Sequence, residues 1–197
     1  MRLFLFGALL ALIVCVTGEN PAAAESAVGR FIVAEPSLED PNFSKSVVLI
    51  IRHGNGGAFG LIINRFVELT PLKEILTLFN EEVPESDALV AVHIGGPVQP
   101  ASTLVLHSAE FQMERTDGAG DLFGVSPTVD TMIATVRGKG PLKMRVFFGY
   151  AGWAPGQLER EIDSGSWALI DADRDLVFSD DPSSVWRTAQ ARIRVDL

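Results

Sequence analysis

Apolar residues fall in short, dense runs separated by breaks rich in glycine, proline and asparagine. Residues 28–34 have the character of a strand, and residues 35–41 form a turn-rich connection. Residues 46–52, SVVLIIR, are apolar and largely β-branched, which predicts a strand covered on both faces. Residues 59–64, FGLIIN, predict a second. Between them His53-Gly54-Asn55-Gly56-Gly57 contains Asn-Gly, whose tolerance of positive φ predicts a tight hairpin. The spacing then changes. Leu72, Ile75, Leu76 and Phe79 share a helical face, with Thr70 as cap and Pro71 at the first position of a helix reaching about Asn80.

Residues 89–94 predict a strand that stops at Gly95-Gly96-Pro97, and residues 103–107 another, expected to pair with it across that turn. A short strand over 122–125, a helix over 128–136, a strand over 143–150, a helix over 155–163 and a strand over 167–170 follow. Asp181 caps a last helix with Pro182 at its first position. Hairpin signals are frequent and no regular βαβ beat occurs. The fold class expected is α+β, with a mixed, mostly antiparallel sheet in a single domain.

The chain's beginning stands apart. Arg2, an apolar run over 3–16 and Ala22-Ala23-Ala24 follow the order of a secretory signal. The run is shorter than the roughly 20 residues of a membrane span. A signal peptide over 1–24, a domain over 25–197, a periplasmic or secreted location and no stable membrane insertion after cleavage are therefore expected, with a retained anchor as the alternative. Cys15 suggests a lipoprotein, but Val14 stands before it where a small residue would be needed. Cys15 is also the only cysteine, so residues 25–197 carry no disulfide and no thiol nucleophile. The net charge of −9 makes nucleic acid an unexpected partner. Arg187, Arg192 and Arg194 read as the solvated face of the last helix.

Familiar chemical motifs are absent: no Gly-x-Ser-x-Gly elbow and no His-Glu-x-x-His pair occurs. Gly54-Asn55-Gly56-Gly57 lacks the Gly-Lys-Ser/Thr of a phosphate loop and precedes a strand, so the hairpin is preferred. Asp171-Ala172-Asp173-Arg174-Asp175 begins like a calcium loop, but Leu176 and Pro182 stand where Gly and Glu are required, leaving a polar turn between two strands. His53, His93 and His107 could converge on a metal, yet nothing in their spacing demands it. No metal and no cofactor is expected. Glu159 and Glu161 lie two apart on a helix and cannot face each other.

The segments FIVAEPSLEDPNFSKSVVLI, GAFGLIIN, IGGPV, LHS and GYAGWAPGQLERE occur in an order and spacing that closely resemble the bacterial AlgH/YqgE family, UPF0301. The resemblance covers nearly all of residues 25–197. It implies a single α+β domain with a strongly bent sheet, partly closed like a barrel and surrounded by helices. It implies little about activity: members are largely uncharacterised, some labelled transcriptional regulators through a link to alginate production, and no catalytic set transfers. The sequence departs from the pattern in its apparent signal, in Phe66 where proline is usual after Asn64-Arg65, and in lacking, over 25–197, a cysteine discussed as reactive in some members.

Three functions can be weighed. A binding module would hold a small molecule or a protein in a cleft formed by the turns at strand ends, with His53, Asn64, Gly95, Gly96, His107, Tyr150, Trp153 and Gln157 as candidate ligand-binding residues. Among these, Trp153 is read first as a packing anchor. A hydrolase or transferase would use His107 with Ser108, or His53, as base, but neighbours along a strand point to opposite faces. A regulator would contact DNA, against its acidity. No catalytic residue is assigned, and a purely structural or assembly role remains beside ligand binding.

Overall fold

The structure, a computed structural model, describes residues 26–81 and 86–193. The expected signal segment and Arg194 lie outside the described residues.

The apolar runs become strands buried on both sides. β1 (Arg30–Ala34), β2 (Val47–Gly54) and β3 (Gly57–Ile62) form an antiparallel meander in which Phe31 faces Leu49 and Leu49 faces Leu61. Successive side chains point to opposite faces of a strand. Phe31, Val33, Leu49, Ile51 and Leu61 therefore enter one apolar cluster, while Ile32, Ala34, Val48, Ile50 and Ile62 enter another. This two-sided burial explains why SVVLIIR shows no polar alternation.

The rest of the chain supplies β4 (Phe66–Pro71), α1 (Leu72–Thr77), β5 (Leu89–Ile94), β6 (Val98–Ser108), β7 (Asp117–Ala119), β8 (Phe123–Pro127), α2 (Thr128–Val136), β9 (Met144–Trp153), α3 (Gln157–Asp163), β10 (Trp167–Asp171), α4 (Arg174–Val177) and α5 (Pro182–Ile193). The sheet runs β10-β1-β2-β3-β9-β6-β8-β7, antiparallel at every step. β5 joins β9 in parallel and carries β4 on its other edge. The sheet curls until β7 returns towards β2, where Arg52 bonds Asp117. The result is an α+β half-barrel. α4 and α5 cover one face through Leu176, Val177, Val185 and Ala189. α3 and the pair α1 and α2 cover the other, over separate clusters.

One edge of β9 changes partner midway. Residues 145–148 pair with β5, and residues 151–153 pair with β3. Gly149, at φ 67, makes the change. Gly95 closes the gap: its N–H donates to the Phe148 carbonyl (2.8 Å), and its carbonyl accepts from Ile62 N–H (2.9 Å). A Cβ on Gly95 would lie 2.3 Å from the Gly149 oxygen. The two glycine-rich motifs of the sequence thus meet at one fork in the sheet.

Several expectations need correction. β5 and β6 do not pair with each other across Gly95-Gly96-Pro97, because β9 lies between them. Thr70 does not cap α1. It belongs to β4, opposite Val90, and its buried hydroxyl has no hydrogen-bond partner among the described residues, while the helix starts at Leu72 from an extended Pro71. In the Asn-Gly turn, the positive φ falls on Gly57 (φ 103) instead of on Asn55 or Gly56. α3 starts at Gln157 because Gly156 adopts the left-handed conformation (φ 68) that no helix continues. Asp173 is not in a turn between strands: its carboxylate accepts from Leu176 N–H and caps α4. It also pairs with Arg192. Asp181 does cap α5, accepting from Ser183 N–H.

Candidate functional site

The eight residues singled out from the sequence occupy several places. His53 accepts from Ala27 N–H at Nδ1 (3.1 Å), so Nε2 carries the proton it shares with Glu159 (2.9 Å). Glu159 is held below the usual carboxylate range by its own backbone N–H, helped by His53. His53 also lines a cavity of about 400 Å³ beside the hairpin, with Arg52 and Phe59. Tyr150 packs on Phe59, with centroids 4.7 Å apart, but does not line that cavity. Asn64 braces backbone: its Oδ1 accepts from Val47 N–H and its Nδ2 donates to the Lys45 carbonyl. Gly95 and Gly96 face the backbone of Gly149 and Tyr150, with no room for a side chain. Trp153 and Gln157 meet at Glu161. Trp153 Nε1 donates to its Oε2 (2.9 Å), as does Trp167 Nε1 (2.9 Å), and Gln157 Nε2 donates to its Oε1 (2.8 Å).

His107 is fully buried. Its Nδ1 donates to the Ser108 carbonyl (3.0 Å), which can only accept, so Nε2 accepts from Ser126 Oγ (2.9 Å). Thr116 Oγ1 then donates to Ser126 Oγ (2.6 Å). Burial lowers the His107 pKa, while the Ser108 backbone and Glu110 act in the opposite direction. Ser108 Oγ turns away to Glu110 (2.8 Å), as strand alternation requires.

A different pair stands at a cleft. β5 and β9 run parallel, so His93 and Arg145 project from the face that carries Phe147. His93 is 0 % exposed and Arg145 is 6 % exposed. Arg145 Nη1 lies 3.1 Å from His93 Nε2. A guanidinium only donates, so Nε2 is the acceptor and the imidazole proton sits on Nδ1. That Nδ1–H makes no hydrogen bond of ordinary geometry among the described residues, although the Ala91 backbone lies close enough to act on it. Burial, reinforced by the Arg145 charge, pushes the His93 pKa down to about 4, with the Ala91 backbone acting weakly in the other direction. Arg145 Nη2 donates to the Ser179 carbonyl. Burial lowers its pKa too, partly offset by Asp180. No carboxylate among the described residues comes within 4 Å of it.

These groups line a cleft of about 320 Å³ whose walls are Phe66, Leu69, Ala91 and Pro182, with Ser179 and Asp180 at one side. It opens where the face under α4 and α5 runs out beyond the Ser179–Pro182 segment. Phe66 and Leu69, 44 % and 59 % exposed, are the uncovered end of that apolar face. A second cavity, reaching Leu142, Lys143 and Phe178, shares Ala91, Arg145 and Asp180 with it. A buried guanidinium at an apolar wall can hold an acceptor group, such as a carboxylate, on a small apolar body. The three histidines lie at three separate places, and no cluster of three or more His, Cys, Asp or Glu is positioned for a metal among the described residues.

The sequence matches the AlgH-like family, DUF179, over residues 31–197. It is 37 % identical over 171 residues to a UPF0301 protein of Methylococcus capsulatus, covering 87 % of this chain and 93 % of that one. It is 38 % identical over 175 residues to another from Thioalkalivibrio sulfidiphilus, covering 89 % and 94 %. The chain belongs to the AlgH-like family. The fold agrees: the solution structure of the AlgH protein from Pseudomonas aeruginosa superposes with a TM-score of 0.71 at 30 % identity, covering 89 % of this chain and 92 % of that one. A crystal structure of a protein from Corynebacterium diphtheriae gives 0.67 at 26 %, covering 84 % and 86 %.

His93 and Arg145 of this AlgH-like chain were not among the eight candidates. A signal for them existed. Arg145 interrupts the apolar strand MRVFFGY, and a charged residue in such a strand is buried only when something compensates it. The partner lies 52 positions away in sequence, across a parallel pairing that no hairpin signal announces.

The Glu161 network makes a separate prediction for this AlgH-like domain. Glu161→Ala strands two indole N–H groups and an amide, and each hydrogen bond to a charged acceptor is worth about 1.5–3 kcal/mol. A loss of about 2–4 kcal/mol in urea unfolding is expected, with Glu161→Gln losing less. Tryptophan fluorescence would follow the transition directly.

Proposed function

We propose that this protein is a non-enzymatic binding module whose ligand is a small apolar molecule bearing a carboxylate, held in the cleft of His93 and Arg145. One observation carries the reading: a buried guanidinium with no carboxylate within 4 Å among the described residues lines an apolar cleft beside a fully buried imidazole. A buried charge without a counter-ion is unfavourable, and a bound carboxylate would relieve it. The exposed Phe66 and Leu69 supply apolar surface at the same place. The hairpin cavity by His53 is larger, but its cation, Arg52, is exposed and already paired with Asp117.

Hydrolysis by His107 has less support. Its hydroxyl partner Ser126 is 1 % exposed, and neither residue lines the cavities described above. Regulation through DNA contact is opposed by the net charge of −9.

The test is calorimetric titration with 4-methylpentanoate, a branched apolar carboxylate. Wild type is expected to bind it. Arg145→Met, similar in length and apolar, is expected to bind it about tenfold or more weakly while keeping cooperative unfolding. Equal binding by the two proteins would remove the cleft from consideration.

A further inference from the structure

The cleft holds a second charged side chain beside Arg145. Asp180 lines both cavities that meet at Arg145. It acts on the Arg145 charge through space, yet no ion pair joins them within 4 Å. A guanidinium and a carboxylate held near one another without contact leave a gap with a donor side and an acceptor side. Arg145 can only donate, and a carboxylate such as Asp180 can only accept. A simple anion fits half of this arrangement and is repelled by the other half.

We propose that the cleft takes an amino-acid-like zwitterion: its carboxylate on Arg145, its ammonium towards Asp180, and an apolar side chain against Phe66 and Leu69. The inference rests on the reading of the cleft as a carboxylate site and adds the second charge. A zwitterion satisfies both sides at once and brings no net charge to an acidic protein. The apolar wall excludes a charged side chain, because burying one there without a partner is unfavourable. The cleft volume of about 320 Å³ suits a single small molecule.

The experiment compares leucine, 4-methylpentanoate, which lacks the ammonium, and leucinamide, which lacks the carboxylate. All three are titrated into the full-length protein. Leucine is expected to bind about tenfold more tightly than either analogue. Asp180→Asn should invert the first preference. It removes the attraction for the ammonium, so leucine weakens. It also removes the repulsion of a lone carboxylate, so 4-methylpentanoate tightens. Asp180 is exposed and no hydrogen bond described above depends on its carboxylate, so the variant should fold. General damage would weaken both ligands together and would count against the inference. If 4-methylpentanoate binds in an Arg145-dependent way but leucine binds no better, the zwitterion is wrong and the carboxylate site stands. If none of the three binds, both readings fall. An N-acetylated leucine, carrying an amide N–H in place of the ammonium, separates the sources: binding comparable to leucine means that a peptide C-terminus rather than a free amino acid is taken, and overturns the free zwitterion.

Discussion

Gly95→Ala is expected to unfold the protein or to lower its stability by about 3 kcal/mol or more. The added Cβ would sit 2.3 Å from the Gly149 oxygen and 3.0 Å from a Leu61 methyl. Real Cβ atoms do not approach a carbonyl that closely, so one of two paired strands must move. The neighbour is backbone, not the tip of a flexible side chain, and it is tied on both sides. Gly95 N–H holds the Phe148 carbonyl and Gly95 O holds Ile62 N–H. Moving it breaks the point where β9 passes from β5 to β3. Domains of this size are stable by only about 5–15 kcal/mol, so the loss is a large share. Gly54→Ala serves as a control, because a Cβ there meets nothing within 4 Å. It should stay within about 1 kcal/mol of wild type. Urea midpoints measure both. A Gly95→Ala protein as stable as the Gly54→Ala protein would contradict the fork.

Stability is expected to fall as pH drops from about 6.5 to about 4, by on the order of 3 kcal/mol from His93 alone. The sign follows from the direction of the shift. Folding lowers the His93 pKa from 6.5 to about 4. Between those values the unfolded chain binds a proton that the folded chain refuses, so stability rises with pH through the window and is lost on acidification. His107 is shifted in the same direction by burial and adds to the slope. The carboxylates held low, Asp173 and Glu110 among them, begin to lose their contribution as pH falls below their ordinary values of 3.8 and 4.5, so they add to the loss only at the bottom of that window and beneath it. His93→Gln keeps an acceptor for Arg145 and removes the titration. Its stability should be flatter between pH 6.5 and 4, leaving the His107 share. The same slope in both proteins would show that His93 titrates normally.

The fold was largely legible, and the reasons differ from element to element. Two-sided apolar runs marked β2 and β3, because a strand buried on both faces leaves no polar positions. β4 was hidden. Its residues 66–69 are exposed, so Phe66-Val67-Glu68-Leu69 shows no clean alternation, and Pro71 read as a helix start when it ends a strand. β7 is three residues long and was too short to carry a pattern. The partner switch of β9 depends on long-range pairing that periodicity does not encode. The glycines of IGGPV and GYAGW were visible as unusual, and the structure gives them a shared backbone contact. The candidate site was legible only in part. Turn residues drew attention because loops commonly hold function. His93 and Arg145 instead lie inside strands, and their significance comes from burial and a missing partner, neither of which a linear sequence displays.

Binding of a carboxylate ligand in the cleft of His93 and Arg145 can be read residue by residue. The most direct measurement is an amide and histidine NMR titration of isotopically labelled protein with 4-methylpentanoate. The largest, saturable shifts are expected at Phe66, Leu69, Ala91, His93, Arg145 and Ser179, with the His93 ring moving and the hairpin around His53 unaffected. Shifts concentrated at Arg52, His53 and Phe59, or none that saturate, would contradict it.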